Sequence, residues 1–312
     1  MALKAFNNKD PEKLPFEDSY DFAIVGRPID KRGIEAKDFL ESKSCQSCTF
    51  IYNPERHEIR IDDQTYTERD FGQAFKRFKS KSVILETTTL NTGEVFLLIH
   101  WLKEIGLKTL DLTYVDPKEY LKVENGEEDK KNKGRRSFNL SEKTFKFHST
   151  LPSVINVSER NVTKGVFFLG YEDERLNKLI DDNESIPGKE KTLVFGNPPF
   201  QPGWELNSYY RNIEIISRSP LSTDEVRFCG AKNPIGAIKI LKSILKSLGE
   251  REKMFIAPIG TKPLGVASAI FTVFNLDNVG LLYDYPKKTK KNRTQEIHSW
   301  NIYKLNLLSK TL

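Results

Sequence analysis

From Val83 onward, short apolar runs alternate with amphipathic stretches, and no other feature constrains this chain as strongly. An apolar run of four to six residues suits a strand covered on both faces. An amphipathic stretch suits a helix laid over such strands, so the pattern predicts β-loop-α units and a largely parallel sheet. Val83-Ile84-Leu85 reads as a strand with Thr87-Thr88-Thr89 as its exit loop. A helix is expected over Gly93–Gly106, then a strand over Thr109–Tyr114. Further strands are expected at Gly165–Gly170, Thr192–Phe195, Glu225–Phe228, Met254–Ala257 and Val279–Tyr283. The fold class expected is α/β: a Rossmann-like, largely parallel sheet with helices on both faces.

One helix is delimited residue by residue. Asn233 suits the N-cap, Pro234 the first helical position, and Gly249 the stop. Ile235, Ile238, Leu241, Leu245 and Leu248 share one face, with Lys239, Lys242 and Lys246 turned to solvent. The chain before about Phe78 has a different texture. Asp21–Val25 reads as a strand and Thr49–Tyr66 as an antiparallel hairpin, so residues 1–78 are expected to form an N-terminal α/β extension or small lobe. Residues 79–312 form the core, interrupted near 124–136 by a charged, mobile insert.

At 312 residues, 38% hydrophobic and 29% charged, the chain can bury a sizeable core without staples. Three cysteines suit a reducing compartment. No apolar stretch approaches the roughly 20 residues that cross a bilayer, and the first residues run into charge, so a cytoplasmic location without membrane contact is expected. The net charge of +6 permits nucleic-acid or nucleotide contact without requiring it. Two basic runs, Lys130–Arg136 and Lys287–Arg293, read first as solvated loops and second as contacts for nucleic acid or a partner effector protein.

The phosphate loops of common nucleotide enzymes are missing. None of the 18 glycines forms a Gly-x-Gly, which removes the dinucleotide turn and the kinase loop, and there is no P-loop motif. The informative segment is Ile259-Gly260-Thr261-Lys262-Pro263, between an apolar strand and a helix of small residues. Gly260 allows close backbone approach, Thr261 offers a hydroxyl, Lys262 supplies a cation, and the following helix turns its positive end toward an anion. The alternative is a tight β-to-α turn with a solvated lysine.

Gly260-Thr261-Lys262 resembles the ligand loop of CARF domains, the CRISPR-associated Rossmann-fold sensors of cyclic oligoadenylates. Ile259 stands where that family usually has a second glycine. The resemblance implies a nucleotide or cyclic oligonucleotide ligand and a sensor role in bacterial antiviral defence. It also implies a second half-site in an early Thr-rich exit loop, the place of Thr87, Thr88 and Thr89. A second resemblance rests on Asn197-Pro198-Pro199-Phe200, which is similar to the catalytic motif of S-adenosylmethionine-dependent amino-methyltransferases. There the Asn side chain and a Pro carbonyl hold the target amine while the aromatic ring stacks on the base. Such enzymes also carry a glycine-rich cofactor loop, which is missing here. The plain alternative is a rigid loop set by Pro198, Pro199 and Pro202.

If all strands share one sheet, its carboxyl edge gathers Thr87–Thr89, Tyr171, Glu172, Asn197–Phe200, Asn233, Gly260–Lys262 and Asp284. Glu86 and Asp111 are acid/base candidates, or simply hydrogen-bond neighbouring amides. Cys45-Gln46-Ser47-Cys48 lacks a second pair, so neither a metal nor a resident cofactor is assigned. Three classes stand at this stage: a ligand-binding sensor, a methyltransferase, and a scaffold for nucleic acid or a partner, the chain itself included as a homo-oligomer.

Overall fold

The computed structural model describes residues 2–120, 158–181, 185, 190–218, 225–286, 294–309 and 312. The insert expected near 124–136 and both basic runs lie outside the described residues. In chain order the strands are β1 (Leu3–Asn8), β2 (Tyr20–Val25), β3 (Ser44–Asn53), β4 (Glu58–Ile61), β5 (Gln64–Thr67), β6 (Val83–Glu86) and β7 (Thr109–Tyr120). Then come β8 (Val162–Leu169), β9 (Glu190–Gly196), β10 (Glu225–Cys229), β11 (Lys253–Pro258), β12 (Val279–Leu281) and β13 (Thr294–Asn306). The helices are α1 (Lys31–Ser42), α2 (Phe71–Phe75), α3 (Thr92–Glu104), α4 (Asp173–Asp181), α5 (Glu205–Arg218), α6 (Pro234–Ser247) and α7 (Lys262–Val273). None of the described helices is long and apolar enough to cross a membrane.

The α/β class holds, with the strands in two sheets instead of one. The chain divides into two compact units. Unit 1 comprises Met1–Glu119, Ala269–Phe274 and Thr294–Leu312; unit 2 comprises Tyr120–Ser268 and Asn275–Arg293.

Unit 1 holds an eight-stranded mixed sheet of order β1-β13-β7-β6-β2-β3-β4-β5. Its centre is parallel: β2 pairs with β3 and with β6, and β6 with β7. The expected hairpin is present as β3-β4-β5, antiparallel throughout. It extends this sheet, because β3 is also the parallel partner of β2. Strands from before residue 78 and after it therefore share one sheet. α3 is apolar on all sides because it is buried on all sides, with Val95 through Ile99 fully enclosed. It starts at a capping box between Asn91 and Glu94, just ahead of the expected Gly93.

Unit 2 holds a five-stranded, all-parallel sheet of order β10-β9-β8-β11-β12. Numbered within the unit this is 3-2-1-4-5, the Rossmann order, with the direction of winding reversing between β8 and β11. Its core joins Phe167, Leu193, Phe195 and Phe255 from the strands to Leu176 and Leu179 of α4. Phe167 and Phe255 meet edge to face at 5.5 Å. α6 begins as expected, with the Asn233 side chain accepting from the Gly236 amide and Pro234 at the first position. The buried face is rotated from the expected one. Ala237, Ile238, Leu241 and Ile244 are inside, while Ile235 and Leu245 are half-buried.

Candidate ligand site at the switch of the five-stranded sheet

The two sheets separate the sequence-predicted site residues. Tyr171, Glu172, Asn197–Phe200, Asn233, Gly260–Lys262 and Asp284 all follow strands of unit 2 at their carboxyl ends. Thr87, Thr88 and Thr89 follow β6 of unit 1. The premise of one shared sheet edge therefore fails for the three threonines.

Their surroundings also differ from those of an open ligand loop. The Thr87 hydroxyl donates to the Thr113 carbonyl at 2.7 Å, and the Thr88 hydroxyl accepts from the Val115 amide at 3.0 Å. The Thr89 hydroxyl accepts from the Gly26 amide at 2.8 Å and donates to the Glu86 carboxylate. Glu86, fully buried, also accepts the Thr88 and Thr89 amides at 2.8 and 2.7 Å. The candidate acid is thus occupied in holding its own loop. Gly26 closes the arrangement, because a Cβ there would lie 2.7 Å from the Thr89 backbone. Asp111, the other acid candidate, accepts from Tyr20 Oη at 2.7 Å and lies 3.2 Å from Lys304 Nζ. Burial raises its pKa above the usual carboxylate range, against the Tyr20 hydrogen bond and Lys304.

In unit 2 the exit loops of the two central strands touch backbone to backbone. A Cβ on Gly170, after β8, would lie 2.8 Å from the Ile259 carbonyl oxygen. One on Gly260, after β11, would lie 3.1 Å from the Leu169 carbonyl oxygen. A Cβ is excluded at Gly170 and would be crowded at Gly260. The loops after β9, β10 and β11 are then linked in series. Asn197 N–H donates to the Cys229 carbonyl at 2.8 Å, and Ala231 N–H donates to the Pro198 carbonyl at 2.8 Å. The Thr261 hydroxyl donates to the Ala231 carbonyl at 2.7 Å. The Lys232 ammonium sits 5.6 Å from the centre of the Phe200 ring, which is itself buried.

α7 opens at this junction. The Gly265 amide makes the first helical bond, to the Thr261 carbonyl at 3.0 Å, which makes Thr261 the cap residue. Its hydroxyl, however, is committed to Ala231 and not to the first-turn amides that a cap side chain ordinarily satisfies. Gly260, Thr261 and Lys262 are all half-buried, with Pro263 and the rest of the helix inside.

Arg175, in the first turn of α4, is the anchor of this edge. Its Nε and Nη2 donate to Asp284 Oδ2 and Oδ1 at 2.6 and 2.5 Å, and Nη1 reaches Glu172 and the Ile259 carbonyl at 3.4 Å. Burial alone would lower the guanidinium pKa; Asp284 more than offsets this and keeps it charged. The pair ties the exits of β8, β11 and β12 together. The only sequence hint was an acidic residue at a strand end, since the partners are 109 positions apart.

The cysteine pair does not form a centre. Cys45 is exposed and Cys48 buried on β3, and among the described residues no three His, Cys, Asp or Glu side chains converge as metal ligands. No protein-family model matches the chain, and neither a curated protein nor a solved structure matches it significantly.

Proposed function

We propose that unit 2 binds a nucleotide or other phosphorylated ligand at the exit loop of β11, and that the protein acts as a sensor or regulatory component. One observation carries this reading. The helix starting at Lys262 opens at the topological switch of a 3-2-1-4-5 parallel sheet, with its cap hydroxyl turned away to Ala231. Such a helix start favours an anion through its amides and dipole, and Lys262 adds a full positive charge beside them. The resemblance of Gly260-Thr261-Lys262 to the CARF loop supports a cyclic oligonucleotide as ligand and a role in bacterial antiviral defence. The methyltransferase reading of Asn197–Phe200 is less well supported. The ring that must stack on a base is only 6% exposed and carries Lys232 on its face, and the Pro198 carbonyl is taken by Ala231.

Mass spectrometry of small molecules released from the purified protein is expected to detect a retained phosphorylated compound. In calorimetry with that compound, Lys262→Ala is expected to weaken binding roughly tenfold to a hundredfold, the loss of one charge-assisted contact of about 1.5–3 kcal/mol. An affinity left unchanged by Lys262→Ala overturns the reading.

A further inference from the structure

Eight large apolar side chains stand exposed among the described residues, and five of them lie on two adjacent elements of unit 2. Val226 and Phe228 on β10 are 45% and 56% exposed; Leu206, Tyr210 and Ile213 on α5 are 57%, 65% and 59% exposed. The α5 residues fall at i, i+4 and i+7, one stripe of the helix. Tyr209 joins the two groups, since its ring packs on Phe195 of β9 at 4.9 Å and on Phe228 at 6.2 Å. The stripe therefore continues the apolar face of β10. Among the described residues β10 is also the last strand of its sheet, paired only with β9. An unpaired edge strand beside a contiguous apolar surface is an association site.

We propose that β10 pairs antiparallel with β10 of a second copy of this chain, about a two-fold axis through Arg227, joining two five-stranded sheets into one of ten. Four features of the strand make it self-complementary. The Cys229 carbonyl accepts from Asn197 on the β9 side. Backbone groups alternate along a strand, so Glu225 and Arg227 also turn toward β9 while Val226 and Phe228 turn theirs outward. A two-fold at Arg227 sets Val226 opposite Phe228 of the second copy, and these are the residues able to exchange four backbone hydrogen bonds. The same register places their side chains together in one apolar row. Each Arg227 Nε donates to its own Glu225 at 2.7 Å, so the crossing carries two cations and two anions instead of an unrelieved like-charge pair.

The spacing of the helices agrees with this. α5 lies above the gap between β9 and β10, because Tyr209 touches a ring from each. In the joined sheet the two copies of α5 lie two strand spacings apart, about 10 Å, the distance at which helices pack. The exposed stripes of Leu206, Tyr210 and Ile213 then meet across the axis.

Sedimentation equilibrium of the full chain at micromolar concentration tests the proposal. The expected mass is twice 35.9 kDa. Phe228→Asp, at a position 56% exposed, is expected to raise the dissociation constant by at least about tenfold while the far-ultraviolet circular dichroism of the variant matches that of the parent. The register has its own test in a Cys45→Ser background, since Cys45 is the exposed native thiol. Arg227→Cys is expected to cross-link to its copy on mild oxidation, because facing residues of a non-hydrogen-bonded pair have Cα atoms about 4.5 Å apart, within disulfide range. A chain that sediments at 35.9 kDa at all concentrations overturns the proposal. A dimer indifferent to Phe228→Asp that also fails to cross-link at 227 overturns it as well, by moving the interface elsewhere.

Discussion

The two sheets carry the same kind of topological switch and treat it in opposite ways. In unit 1 the winding reverses between β2 and β6, and the loops there are knotted by their own side chains: Thr87, Thr88, Thr89 and Glu86 satisfy backbone groups, and Gly26 presses onto Thr89. In unit 2 the reversal between β8 and β11 is braced by Arg175 and Asp284, and the polar residues of the β11 exit are half-buried at a helix start. A switch point is thus an opportunity for a ligand and not a commitment to one. Hydroxyl and carboxylate groups can be consumed in closing it, and a sequence rich in threonine does not reveal which use it serves.

Substitutions at the two switches should separate by mechanism. Arg175→Met is expected to cost the most, about 3–5 kcal/mol, because it leaves Asp284 buried without its partner. Adding Asp284→Leu should recover much of that loss in urea denaturation. Failure of the double variant to recover would mean that the pair does more than neutralise itself. Gly26→Ala comes next, at about 1–3 kcal/mol, since the new methyl group meets backbone that cannot swing aside. Hydrogen exchange should localise the effect to peptides of unit 1. Thr89→Val is expected to cost about 1–2 kcal/mol by removing a donor to Glu86 and an acceptor for Gly26. Lys262→Ala should cost less than Thr89→Val, since Lys262 is half-buried whereas Thr89 is enclosed. If Lys262→Ala proved as damaging as Thr89→Val, the β11 exit would be as structural as its counterpart in unit 1, and the contrast between the two switches would vanish.

Much of this architecture was legible in the sequence because it is local. The apolar runs at Val83, Thr109, Thr192 and Met254 are strands, and Asn233-Pro234 opens a helix, since burial pattern and capping chemistry are written in neighbouring residues. What escaped was pairing at a distance. A run of Val, Ile and Leu records that a strand is covered on both faces but not which strands lie beside it, so two sheets read as one. The premise that Thr87–Thr89 share a sheet edge with the loops of unit 2 failed for that reason, and Arg175 was missed because its carboxylate partner comes at position 284. In the candidate site, Gly260, Thr261 and Lys262 were legible through their chemistry, whereas the commitment of the Thr261 hydroxyl to Ala231 depends on a loop 30 residues away.

The placement of β13 has a consequence for the order of assembly. In the sheet of unit 1 this strand lies between β1 and β7 and is the antiparallel partner of β1, with Leu3 opposite Leu305. During synthesis the segment that becomes β1 emerges before every strand of unit 2, and its partner emerges after all of them. The parallel sheet of unit 2 is therefore free to mature on the nascent chain, while the eight-stranded sheet stays open at that edge until β13 has emerged.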